Sequence, residues 1–387
     1  MYGYNKQGGS RVGTYRWLAA LAIIFFIVFI AAGGILASNY KHVGNLIKVV
    51  TLIRTQYIEP VETTTLVDGA IRGMVESLED QYSVYLDAQT FKRLQEMIRG
   101  SFGGLGILVG VKDNLLTVVR VYEGTPAAEA GIKAGDRILE IDGRDVRGID
   151  LETAIGLMRG PVGTTIELSL LREGQAEPLQ VTVVREEISV PTVEGKMLPR
   201  TRIGYIAISQ FNEKTPDEML EVLSRLRDSG MRAVILDLRN NPGGDLIAVT
   251  RVADNFVPQG PIVYIEYRSG KKEVKEADGQ FLRLPLAVLV NENSASAAEI
   301  LAAAVQDTGT GVIVGTRTFG KGVVQTVFPL DNGAGLKLTT ARYLTPDKKD
   351  INKKGVEPDV LVQDREDLPG DEQLDEAVKL LEQKLRN

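Results

Sequence analysis

The 387-residue chain contains no cysteine and a single histidine, His42. The first absence excludes thiol nucleophiles, disulfides and thiolate metal sites. The second excludes a zinc site built on several histidines. It also strips the chain of the usual base for a serine nucleophile, because His42 follows a long apolar run and would serve only if the chain folded back on it. Lack of cysteine does not fix the compartment. There is no excess of basic residues either. The net charge is −6, so no global positive field draws the chain to nucleic acid, and none is expected as a partner. Hydrophobic residues at 44% and charged residues at 25% make an ordinary globular mix. The 40 glycines point to many turns and close backbone approaches. The length suits roughly two to three domains.

The one long hydrophobic run is Trp17–Leu36, WLAALAIIFFIVFIAAGGIL, which carries no charge. Its ~20 residues match a helix crossing a ~30 Å hydrocarbon core. Lys6, Arg11 and Arg16 precede it without an acidic residue. By the positive-inside rule, residues 1–16 are expected in the cytoplasm, 17–37 form a transmembrane helix, and the rest lies outside. A cleaved signal peptide and a buried core helix are the alternatives. The run is longer than a usual signal core, and Ala37-Ser38-Asn39 is a poor cleavage site.

Residues 41–98 read as mostly helical. Apolar residues recur at helical spacing through VGNLIKVVTLI and LVDGAIRGMVESL, with Pro60 between them. Residues 99–188 change to short strands with glycine turns, TVVRVY, TIELSLL and LQVTVV, around one short helix, Glu152–Met158. Gly103, Gly104, Leu105, Gly106 and Ile107 form a glycine-rich loop leading into a strand. Successive N–H groups of such a loop suit a carboxylate, and an exposed strand edge beside it suits an added peptide strand. Residues 189–365 alternate strands and helices, which predicts an α/β core with a buried, largely parallel sheet. Residues 366–387 contain an amphipathic helix, EQLDEAVKLLEQKL.

Two segments carry candidate chemistry. In LVNENSASAAEIL a buried strand ends at Val290, and a row of small residues around Ser296 opens a helix. A serine there meets free N–H groups and the positive end of the helix dipole, which suits attack that creates an oxyanion. A plain N-cap at Ser294 or Ser296 is the competing reading. A nucleophilic serine needs a base, and burial lowers the pKa of a lysine. Lys321 lies between two glycines ahead of the apolar run VVQTVF. Taken alone, it reads equally as a solvated turn lysine.

The segment EGTPAAEAGIKAGDRILEIDG, with the Gly-Leu-Gly-Ile loop, resembles the PDZ domains of bacterial proteases. Ser-Ala-Ser-Ala at Ser296, Gly-Lys-Gly-x-x-Gln at Lys321 and Gln325, and Leu238–Gly244 (LRNNPGG) resemble the carboxyl-terminal processing peptidases, or tail-specific proteases. DGAIRGMVESLEDQYSVYL, LTTARYLTPD and GVEPDV match in family order, so the likeness spans roughly residues 45–365. It implies a serine endopeptidase with Ser296 as nucleophile, Lys321 as general base and Gln325 orienting the lysine. Gly243 or Gly244, together with Ala297, would supply the oxyanion hole. The loop Gly103–Ile107 would hold a substrate C-terminus, and the PDZ module would gate access. No metal or cofactor is needed. The implied architecture is a crotonase-like, layered α/β peptidase core with an inserted β-rich PDZ domain, helical N- and C-terminal arms and one N-terminal transmembrane helix. Expected substrates are extracytoplasmic proteins with exposed apolar C-termini, at a bacterial cell membrane. A homodimer through the helical arms and an adaptor or regulator are left open. Ala298 stands where the family often has a second serine. The charged stretch Asp347–Asp350 is expected to alter the substrate-facing surface. A non-catalytic peptide-binding scaffold and a crotonase-like acyl-CoA enzyme are the rival readings, and fold alone does not choose between them.

Overall fold

A computed structural model describes residues 42–363 and 370–386. The expected cytoplasmic segment 1–16 and transmembrane helix 17–37 lie outside the described residues. Among the described residues no helix is long and apolar enough to cross a membrane. The chain divides into two compact units, Met1–Glu79 and Asp80–Asn387.

In the first unit residues 42–56 and Thr63–Glu76 are helical. Pro60 lies in the break, where its ring and missing N–H end regular helix. Val43, Leu46, Ile47 and Leu52 are exposed, and Val75 is buried.

The second unit begins with a short strand, Val84–Leu86, and the helix Ala88–Arg99, capped by Asp87 accepting the Thr90 N–H at 2.8 Å. The strands Ser101–Gly104 and Glu186–Ser189 pair antiparallel and frame the segment between them. That segment is a meander of five main strands: Ile107–Lys112, Leu115–Val121, Arg137–Ile141, Thr165–Leu171 and Leu179–Val184. Alternation puts Ile166, Leu168 and Leu170 into the small core, and Ser169 between them is covered as well. The first hairpin turns at Asp113 and Asn114, both with positive φ, which matches the twist of the strands. The helix Leu151–Met158 closes the small core, capped by Asp150.

The larger core is a six-stranded sheet in the order Val193–Met197, Ile203–Ile208, Ala233–Asp237, Leu286–Val290, Val312–Gly315, Val360–Leu361. The first pair is antiparallel and the others are parallel. Ala233–Asp237 and Leu286–Val290 are buried at every position, as expected where helices cover both faces. Val234 and Leu236 pack with the helices Thr215–Asp228, Leu246–Ala253 and Ala297–Asp307. Ala233 and Ile235 pack on the other face, with Ala377 and Leu381 of the helix Glu372–Arg386.

A second, antiparallel sheet was not expected from the sequence. Gly335–Leu344 is its spine, paired with Val84–Leu86, Val323–Pro329 and Gly260–Tyr267, and Lys272–Ala277 adds to the last. The core therefore has two sheets rather than one, and the largely helical stretch 41–98 contributes a strand to the second.

Candidate active site

The turn that carries Ser296 is built by what surrounds it. Leu286–Val290 runs straight into residues 291–296. Ser294 is fully buried, donates its hydroxyl to the Leu238 carbonyl at 2.8 Å and accepts the Asn291 N–H at 2.9 Å. Of the two serines, Ser294 is thus the one with a structural hydroxyl. Ser296 occupies the N-cap position of Ala297–Asp307 with φ 55° and ψ −111°, a sparsely populated conformation for a residue with a side chain. Gly243 lies against it. A Cβ on Gly243 would stand 2.8 Å from both the Ala295 carbonyl oxygen and Ser296 Cβ, so only glycine permits this approach.

Glu299, one turn into the helix and fully buried, organises the site. Its Oε2 accepts the Ser296 N–H at 2.8 Å and the Lys321 N–H at 2.9 Å. Its Oε1 accepts the Thr318 hydroxyl at 2.6 Å and the Gly320 N–H at 2.7 Å. This is the reciprocal pattern of a capping box, with the Ser296 hydroxyl lying toward the Glu299 N–H. That N–H makes its own bond to the Ser296 carbonyl at 2.9 Å, so the hydroxyl is only loosely committed to the cap. Tyr343, also buried, donates its hydroxyl between the Ser296 carbonyl, at 3.2 Å, and the Lys321 carbonyl.

Lys321 follows Gly320, whose φ of +89° brings its backbone against residues 353–355. The ammonium is half-buried and lies over the Tyr82 ring, 4.8 Å from its centroid. Burial pushes its pKa below the ordinary lysine value. The charge of Lys337 adds to this, and Glu299 and Asp80 oppose it.

Gln325 sits where the partner strand Gly335–Leu344 bulges at Thr340. Its amide nitrogen faces the Thr339 hydroxyl at 3.4 Å and the Val323 carbonyl at 3.5 Å. The Lys321 ammonium is therefore held over Tyr82 rather than by Gln325, and it is not hydrogen-bonded to the Ser296 hydroxyl. The three side chains nevertheless line one open cleft of about 620 Å³. Catalytic bonds are often long before substrate binds and tighten in its presence.

The same cleft holds all three oxyanion candidates, Gly243, Gly244 and Ala297, but their N–H groups differ. The Gly243 N–H is spent on Asn241 Oδ1 at 2.8 Å, which removes it as a donor to substrate. Those of Gly244 and Ala297 have no acceptor among the described residues. Gly244 has φ +140°, and a Cβ there would lie 1.9 Å from the Phe211 carbonyl oxygen. Leu94, Met97 and Ile98 of Ala88–Arg99 form another wall of the cleft.

Of the five loop residues, Gly103 and Gly104 pair with Glu187 and Glu186 as strand. Only Leu105 and Gly106 turn, at the mouth of a separate groove of about 290 Å³ that all of the five but Gly103 line, and Ile107 opens the next strand. The Leu105 carbonyl accepts the Ala127 N–H at 2.9 Å, and Gly106, at φ +81°, packs on Thr125. In the same groove the Arg159 guanidinium stacks 4.0 Å from the Phe102 ring centroid. It also reaches Glu96 Oε2, on the cleft-lining helix, at 3.5 Å.

Glu299, Tyr343, Tyr82, Asn241 and Lys337 were not singled out from the sequence. For Glu299 a signal was available, because Ser296-x-x-Glu299 is a capping-box spacing. Tyr343, Tyr82 and Lys337 join the site through long-range packing that no local pattern displays, and Asn241 acts locally, on the N–H two residues on. The charged stretch Asp347–Asp350 proves to be a brace. Lys349 bonds Asp307 at 2.7 Å and Asp347 at 3.1 Å. Asp307 ends the helix that Ser296 begins, about 16 Å away at ~1.5 Å per residue.

Three family models match the chain: the CtpB activating-protease N-terminal domain over residues 35–90, a PDZ domain over 117–172 and peptidase family S41 over 202–362. A carboxy-terminal-processing protease of Bartonella bacilliformis is 38% identical, with 88% of this chain and 82% of that one aligned. The chain belongs to the carboxyl-terminal processing family of serine-type endopeptidases. The carboxy-terminal processing protease CtpA of Bacillus subtilis is 40% identical over 80% of this chain, but only 66% of that relative's length is matched. The solved photosystem II D1 C-terminal processing protease superposes with a TM-score of 0.51 at 32% identity, covering 87% of this chain and 90% of that one. The meander between the paired strands is thus a PDZ domain inserted ahead of an S41 peptidase core.

Proposed function

We propose that this chain is an endopeptidase acting near the C-termini of extracytoplasmic proteins, with Ser296 as nucleophile and Lys321 as general base. The observation that carries this reading is the shared anchor. One oxygen of Glu299 accepts the backbone N–H of both residues, and both line the cleft.

A peptide lies extended in the cleft. Neutral Lys321 takes the Ser296 hydroxyl proton as that oxygen bonds to the scissile carbonyl carbon. The carbonyl oxygen becomes an oxyanion facing the N–H groups of Gly244 and Ala297. Protonated Lys321 gives its proton to the leaving amine as the C–N bond breaks. Water, deprotonated by Lys321, then releases the acyl group. Gln325 accepts from Lys321 once the ammonium swings off Tyr82. The turn Leu105–Ile107 takes the substrate's terminal carboxylate, with the apolar groove beside it receiving apolar side chains. Arg159 and Glu96 are the proposed link by which this groove gates the cleft. In the same reading residues 17–37 retain the chain in a bacterial membrane with the peptidase outside the cytoplasm, and the helical arms pair two copies.

The test is cleavage of an unfolded protein with an apolar C-terminus by the purified protein and by Ser296→Ala and Lys321→Ala. Loss of cleavage in both is expected. Equal cleavage by Lys321→Ala would sink the assignment of the base.

A further inference from the structure

The cleft contains a second lysine. Lys337 lines it together with Lys321 and is half-buried on the strand Gly335–Leu344. Strand residues alternate in direction, so Lys337 shares a face with Thr339, up to the bulge at Thr340. On that face Thr339 meets Gln325 at 3.4 Å, and beyond the bulge Tyr343 of the same strand meets the Ser296 carbonyl at 3.2 Å. Across the sheet Lys337 is paired with Val84 and Val327, neither of which answers its charge. Among the described residues it has no ion-pair partner. Among the described residues the one carboxylate lining the cleft, that of Asp245, caps Leu246–Ala253 and accepts the Ala248 N–H at 2.7 Å. Much of the remaining lining is apolar, including Leu94, Phe211, Ile300 and Val324.

The cleft is therefore an apolar trough with a spare positive charge. A lysine on open surface carries its head into bulk water. This one carries it into the channel that the substrate must fill, where a lower dielectric strengthens attraction to an anion. Its charge already acts on the chemistry: after burial, Lys337 is the group that pushes Lys321 toward its neutral form.

We propose that Lys337 is a specificity-determining residue of the cleft, whose ammonium takes a carboxylate of the bound peptide a few residues from the scissile bond. This rests on the peptidase reading above. The carboxylate is either an Asp or Glu side chain or the peptide's own terminus. Lys337 stands six positions along the strand from Tyr343, which holds the Ser296 carbonyl; that is at most about 20 Å at ~3.4 Å per residue, or roughly six residues of extended substrate. A docked carboxylate offsets part of the Lys337 charge felt by Lys321, so the gain belongs in KM rather than kcat.

The experiment uses the full-length protein in detergent and apolar peptides carrying Glu or Gln at each of the positions flanking the cleaved bond, with free or amidated C-termini. Wild type is expected to show a KM about tenfold lower for one Glu peptide than for its Gln counterpart, an effect of the size expected for a partly desolvated ion pair. Lys337→Arg keeps that preference, Lys337→Met loses it, and Lys337→Glu reverses it toward a Lys-bearing peptide. Sensitivity to amidation that Lys337→Met abolishes identifies the terminal carboxylate as the source and supports the proposal, whereas sensitivity that Lys337→Met keeps belongs to the Leu105–Ile107 loop and counts against it. A preference that survives Lys337→Met, or that wild type lacks while cleaving both peptides, overturns it. Failure of wild type to cleave any of the peptides would remove the peptidase reading and this proposal together.

Discussion

Ser296 and Lys321, 25 positions apart in sequence, hang from one atom: Glu299 Oε2 accepts both their backbone N–H groups, at 2.8 Å and 2.9 Å. The relationship explains how a strained serine and a glycine-flanked lysine keep their mutual position without a bond between their side chains. Their main chains are fixed, and only side-chain rotation remains before reaction.

Glu299→Gln is therefore expected to damage the site from behind. One end of the amide would present N–H groups to donors, and two buried backbone N–H groups would lose their acceptor, at about 1–3 kcal/mol each. Misplacement of the reacting groups by a fraction of an ångström to 1 Å should lower kcat by about 10²-fold with little change in KM. Urea unfolding and steady-state kinetics on one preparation check both numbers. Unchanged kcat would show that the anchor is dispensable.

The pH profile follows from Lys321. Burial and Lys337 lower its pKa below the ordinary lysine value, and the neutral amine is the form that accepts a proton. The rate should thus rise with pH and level off once the amine is free. Asp80 opposes the lowering, so Asp80→Asn should move the rising limb to lower pH. Lys321→Arg should be inactive at every pH, since a guanidinium does not deprotonate in this range.

Much of this was legible in the sequence, and the reason lies in particular residues. The βα rhythm from Ile203 onward and the apolar runs AVIL and LAVLV gave the parallel sheet away, because strands buried on both faces have little room for polar residues. The helix start at Ser296 showed in its small residues. The antiparallel sheet was hidden because Gly335–Leu344 is a half-buried strand, with mixed residues such as Lys337, Thr339 and Thr340, and its partners lie up to 250 residues away. The difference between Gly243 and Gly244 was hidden for another reason. Choosing between Gly243 and Gly244 depends on which N–H Asn241 Oδ1 occupies, a contact that spacing alone does not reveal.

The link between groove and cleft gives a third expectation. Arg159 touches Phe102 in the PDZ groove and Glu96 on the helix that lines the cleft. A non-cleavable peptide ending in an apolar residue should displace Arg159 and change wild-type cleavage of a second, short substrate. In Arg159→Ala the basal rate should differ from wild type, and the added peptide should leave it unchanged. An equal response in both proteins would remove Arg159 from the path.

The last expectation concerns the ground on which the loop with Gly243 and Gly244 stands. Arg239, just ahead of Asn241 and Gly243, bonds both oxygens of Asp371 at 2.7 Å and Asp237 at 2.6 Å, and Asp237 also accepts the Tyr205 hydroxyl at 2.7 Å. Asp237 and Arg239 are nearly buried, while the Asp371 side chain keeps 34% of its exposure. Removing the arginine strands two carboxylates, so Arg239→Ala should cost about 3–5 kcal/mol, and Asp371→Ala, at the wetter end, clearly less. Burial alone would raise the Asp371 pKa, but its bonds from Arg239 and from the Leu374 N–H hold it below the ordinary carboxylate value. A carboxyl so lowered adds stability above its ordinary pKa and loses it as pH falls through the lowered one. Wild type should accordingly lose stability on acidification, and Arg239→Ala should lose less across the same window because most of that lowering is gone. Urea midpoints measured from neutral pH down to about 3 decide it: parallel curves for the two proteins would show that the Arg239–Asp371 pair carries no linked stability.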